Sequence, residues 1–93
     1  MASTSRTFDG VSSEIWNCLK DDSKRKHDTV YDPPDGDSGT ATTSTIIGKL
    51  ELIYSFDREQ NKVTFTIESK PVLVPAGRIW DGIQEAIDKC AGK

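Results

Sequence analysis

Histidine occurs once in these 93 residues and cysteine twice. Any histidine-based catalytic triad must therefore be built on His27, with Cys18 or a serine as its nucleophile. His27 follows Lys24, Arg25 and Lys26 and reads as a solvated residue, while Cys18 lies on the apolar stripe of a short helix and reads as a small buried hydrophobe. A structural zinc site takes four Cys or His ligands, one more than the chain holds. No apolar run approaches the roughly 18 residues that span a bilayer, so no membrane partner is expected. Two cysteines do not make a disulfide framework, and the polar opening Met1-Ala2-Ser3-Thr4-Ser5-Arg6 is no export signal. Both thiols are therefore expected to be free, and the compartment to be cytoplasmic.

What the chain does contain is polar. Hydrophobic residues make up 34% of it, and the mean hydropathy is −0.53, so one small core in a single domain over residues 1–93 is expected. The formal net charge is −3, which repels a polyphosphate backbone and argues against nucleic acid. Residues 1–8 read as a flexible arm. Val11, Ile15, Cys18 and Leu19 recur at helical spacing after Ser12 or Asp9 as cap. Residues 20–42 hold few apolar side chains and several prolines and glycines, so they read as a long polar loop.

Two runs then alternate with period 2: Leu50, Leu52, Tyr54 and Phe56, and after a polar turn Val63, Phe65 and Ile67. They predict an antiparallel hairpin. Val72-Leu73-Val74, bracketed by Pro71 and Pro75, is at most a short edge strand or an extended connector. Ala76, Ile79, Trp80, Ile83, Ala86, Ile87 and Cys90 form the stripe of a closing helix. The predicted fold is a small two-layer α+β domain ordered helix, long loop, hairpin with a possible third edge strand, helix.

Within the loop, Gly36-Asp37-Ser38-Gly39 resembles the nucleophile loop of trypsin-like proteases. The resemblance spans four residues, and that family needs two β-barrels, which this chain is too short to hold. Turn chemistry around Pro33 and Pro34 is the expected role. Asp32, Asp35 and Asp37 put alternate carboxylates in the segment 28–39, the oxygen-rich kind of loop that calcium requires, but without the glycine placement and closing glutamate of an EF-hand. The cluster Lys20, Lys24, Arg25 and Lys26 is offset by Asp21, Asp22 and Asp28 and suits a helix C-terminus. Thr42, Thr43, Thr45, Thr64 and Thr66 are read as the polar back of the hairpin.

No catalytic constellation and no cofactor motif emerges, so an enzyme is not expected. An isolated hairpin is marginal, and Ile47 and Ile53 fall opposite Leu50, Leu52 and Tyr54. The leading expectation is a non-catalytic protein-interaction or regulatory module, homodimeric or bound to another protein, with Ile47, Ile53, Trp16 and Trp80 as interface residues. The alternative is a small-molecule-binding protein whose pocket lies between helix and sheet, lined by Tyr54, Phe56, Phe65 and Trp80. A further alternative is a calcium-responsive domain using the acidic loop.

Overall fold

The alternating runs after residue 48 form the middle of a larger sheet than the sequence predicts. A computed structural model describes residues 5–32, 36–45, 48–71 and 73–92. Its elements in chain order are β1 (Ser5–Asp9), α1 (Ser13–His27), β2 (Val30–Asp32), β3 (Ser38–Thr45), β4 (Gly48–Asp57), β5 (Lys62–Ser69) and α2 (Ala76–Cys90). The five strands pair antiparallel in the order β1-β5-β4-β3-β2. This is an α+β fold, and the predicted hairpin is β4 and β5, with Tyr54 opposite Phe65 and Phe56 opposite Val63.

The predicted order of elements is corrected in three places. The arm 1–8 contains β1, which pairs with β5. It buries Phe8 edge-on against Phe65, with ring centroids 6.1 Å apart. Its outer side chains share hydroxyl hydrogen bonds, Ser5 with Thr66 at 2.8 Å and Thr7 with Thr64 at 2.9 Å. One buried residue in an edge strand is too little to create an alternating pattern.

The loop 20–42 is replaced by the second half of α1, by β2 and by the first half of β3. The last turns of α1 face solvent, so they need no apolar residue. They are held by an ion pair between Lys26 and Asp22 at 3.4 Å and by four basic side chains, Lys24 to His27, at the negative end of the helix. Ser12 caps the start by accepting from the Ile15 N–H at 3.3 Å. Asp28 ends the helix in the left-handed region, with φ 52°, and its N–H bonds the Ser23 carbonyl. In β2 and β3 the buried apolar residues are Tyr31 and Ala41. Finally, no strand forms among the described residues between Pro71 and Pro75; the Val74 N–H bonds the Pro71 carbonyl at 3.0 Å in a turn.

The cysteines are the fourth correction. Cys18, midway along α1, and Cys90, the last residue of α2, are joined in a disulfide with their Cα atoms 5.8 Å apart. Both sit on helix stripes, as the periodicity indicates, but the two stripes meet there and bring 72 positions of sequence separation to bonding distance. The argument for free thiols, and with it the argument for a reducing compartment, loses its basis. Among the described residues no helix is long and apolar enough to cross a membrane.

Both helices cover one face of the sheet. The core is a ring cluster around Trp16, which is fully buried, stacks on Phe56 at 5.3 Å and lies tilted against Tyr54 and Phe65. Its indole Nε1–H finds no acceptor among the described residues. Trp80 of α2 packs on Phe8. The opposite sheet face is dominated by hydroxyls and charges.

Candidate functional site

A cavity of about 270 Å³ lies between the two helices and the inner face of the sheet. Its floor is Leu50, Leu52 and Phe65 from β4 and β5 with Ala41 and Thr43 from β3. Leu19 and Ser23 of α1 form one wall, and Ile79, Ile83 and Ala86 of α2 the other. The space has a local cause. The strand β3 points Gly39, Ala41, Thr43 and Thr45 inward, and all four are small. Across from them α2 carries Gly82 and Ala86, and a Cβ built on Gly82 meets no atom within 4 Å. Small residues on both sides leave a gap where Leu or Phe would close the core.

The inner hydroxyls of this lining are paired with one another. The hydroxyls of Ser23 and Tyr31 share a hydrogen bond. Those of Thr29 and Thr43 share another at 2.7 Å, and Thr29 is buried. Burial is the main cause that pushes the Tyr31 phenol above its usual pKa, against the opposing hydrogen bond from Ser23. At the mouth stand Asp22, His27, Thr45 and Arg78. Asp22 is paired with Lys26. Beside it the like charge of Lys26 lowers the pKa of Lys89. Arg78, in the first turn of α2, makes no ion pair among the described residues, and that turn holds no acidic side chain.

The site residues expected from sequence are distributed otherwise. Of the pocket set, Phe65 lines the cavity, whereas Tyr54, Phe56 and Trp80 are buried in the core beside it. Burial first, then the charges of Asp32 and Asp37, raises the Tyr54 pKa. Of the interface set, Trp16 and Trp80 are both in the core and offer no surface to a partner. Ile53 does point to the outer face, 43% exposed, between Thr66 and Thr40. Ile47 lies outside the described residues.

Of the metal candidates, Asp37 gives both carboxylate oxygens to Arg58, at 2.6 and 3.0 Å. That bidentate contact is what holds its carboxyl below the usual range. Asp32 is exposed at the end of β2, and Asp35 lies outside the described residues. No group of three metal-ligating side chains occurs among the described residues. Ser38 of the protease-like tetrapeptide is an exposed strand residue opposite Ser55. In the basic cluster, Lys20 lies over the Trp16 ring and Lys24 over that of Tyr31, at 5.3 and 5.9 Å.

Sequence reasoning placed the pocket between helix and sheet but took Trp80 for its α2 side in place of Ile79, Ile83 and Ala86, and it misassigned two threonines. Thr43 and Thr45 face the cavity, while Thr42, Thr64 and Thr66 belong to the outer face. Gly39-Thr40-Ala41-Thr42-Thr43-Ser44-Thr45 is small at every position, so the sequence shows that this strand supplies no large side chain but not which of its faces borders the cavity. No protein-family model, curated protein or solved structure matches the chain.

Proposed function

We propose that this chain is a non-catalytic binding module that takes a small, largely apolar ligand in the cavity between its helices and sheet. The observation that carries this reading is the open space of about 270 Å³, lined by aliphatic and aromatic side chains, whose inner hydroxyls are satisfied by one another. Such a lining places few demands on a guest beyond shape and apolar surface. The disulfide supports a working compartment in which disulfides persist, in place of the cytoplasm.

A second reading, self-association through the outer sheet face, draws on the exposure of Ile53 and Val30. Ile53 is flanked there by threonines, so the face offers little contiguous apolar area to bury. Titration of ¹⁵N-labelled protein with 1-octanol tests the first reading. Saturable shifts confined to amides around Leu52, Thr43 and Ile83 are expected, together with their loss in Gly82→Leu. That substitution grows into open space and improves helix propensity, so the fold is retained. Absence of saturable shifts in the wild type, or unchanged binding in Gly82→Leu, overturns the reading.

A further inference from the structure

We infer that the ligand is an amphipathic monocarboxylate, its apolar body in the cavity and its carboxylate at the mouth against Arg78. This rests on the binding reading above and adds the chemistry of the head group. The volume sets the size: a dry cavity of about 150 Å³ accepts benzene, so about 270 Å³ accommodates roughly ten non-hydrogen atoms in proportion. A guest of that size is a medium-length acyl chain or a single ring with a short tail.

Charge complementarity sets the head. Of the cations near this end of the molecule, Lys26 is paired with Asp22, Lys89 and Arg25 lie beside that pair but outside the cavity lining, and Lys20 and Lys24 lie over aromatic rings. Arg78 is the cation in the cavity lining, and it has no ion-pair partner among the described residues. The one acid in that lining, Asp22, is already engaged. A guest with a carboxylate fills the apolar space and supplies the missing counter-charge together. A planar guanidinium matches a carboxylate with two parallel N–H donors. A cationic head group, by contrast, would meet Arg78 directly.

The test compares octanoate and 3-phenylpropanoate with 1-octanol and 3-phenylpropanol, by calorimetry and by amide shifts, on the intact oxidised chain. For at least one pair the acid is expected to bind three- to five-fold more tightly than the alcohol, the upper range for an exposed ion pair. That preference should shrink on raising salt from 0.05 to 0.5 M. It should vanish in Arg78→Gln, whose affinity for the acid falls to that for the alcohol. Whichever acid shows the preference identifies the guest as chain or ring. Alcohols binding as tightly as acids, or Arg78→Gln retaining the preference, overturns the carboxylate inference and leaves the cavity reading standing. Failure of acids and alcohols alike in the wild type overturns both.

Discussion

Breaking the Cys18–Cys90 bond should cost this protein a large part of its stability. The bridge closes a loop of 72 sequence positions, and loop-closure entropy of that size corresponds to about 4 kcal/mol. A domain of this length is expected to be stable by on the order of 5 to 14 kcal/mol in total, so reduction removes between a third and most of it. For a domain of this size that is a fall in melting temperature of roughly 15 to 30 °C. The buried Trp16 gives a fluorescence signal for unfolding in urea or on heating. Three samples suffice: oxidised wild type, wild type with reductant, and Cys18→Ala with Cys90→Ala. The last two should melt together well below the first, and reductant should not lower the double variant further. Both cysteines are only partly buried, so the alanines leave little cavity of their own. Two free thiols in unreduced, denatured protein would refute the reasoning, as would a reductant shift under about 5 °C.

Tyr31 and Tyr54 both have raised pKa values, chiefly through burial, so the fold favours their protonated form. Their contribution is complete below the ordinary phenol pKa of 10.0. It is lost as pH rises from there towards the folded values, and denaturation midpoints should fall above about pH 10; Tyr31→Phe with Tyr54→Phe should flatten that decline, and an unchanged slope would count against it. Trp16→Ala should destabilise by about 3 to 5 kcal/mol. Trp16→Phe should cost distinctly less, because it keeps a ring stacked on Phe56 and leaves a smaller cavity, and equal losses in the urea midpoint would show that ring packing at this site carries little of the energy. Gly82→Ala should stabilise by about 1 kcal/mol through helix propensity, measurable in the same urea curves; a loss would mean that the space beside Gly82 is not open. Light scattering at rising concentration should return a monomer, and Ile53→Thr should leave that mass unchanged; a concentration-dependent dimer abolished by the substitution would restore the sheet-face interface.

What was legible in the sequence was what alternates or repeats on a large scale. Leu50, Leu52, Tyr54 and Phe56 against Val63, Phe65 and Ile67 defined the central hairpin, and the Ile79 to Ile87 stripe defined α2. The edges were hidden because β1 and β2 each bury a single side chain, Phe8 and Tyr31, and the rest of each strand faces solvent. The end of α1 was hidden because its stability comes from charge pairing and capping, which carry no apolar period. Large aromatic residues are the lining that pockets in general lead one to expect. In this chain those rings fill the core, and the space is opened by what is missing from Ala41, Thr43, Gly82 and Ala86. A pocket made of small side chains leaves only a faint trace in hydropathy.

The pairing of β1 with β5 sets the order in which the molecule can be completed. Ser5 lies opposite Thr66 and Asp9 opposite Lys62, so the first strand has no partner until most of the chain has been synthesised. The inner strands β3, β4 and β5 are consecutive antiparallel neighbours and can assemble from local contacts as they emerge. The N-terminal strand and α1 must wait, with Phe8 and Trp16 uncovered, until Phe65 arrives to receive them. Non-local closure of this kind is slower than the pairing of consecutive strands. Cys90, the last residue of α2, can meet Cys18 only once the two helices are packed side by side. Oxidation therefore follows the fold and locks it, and a chain truncated before α2 is left with its apolar sheet face half open.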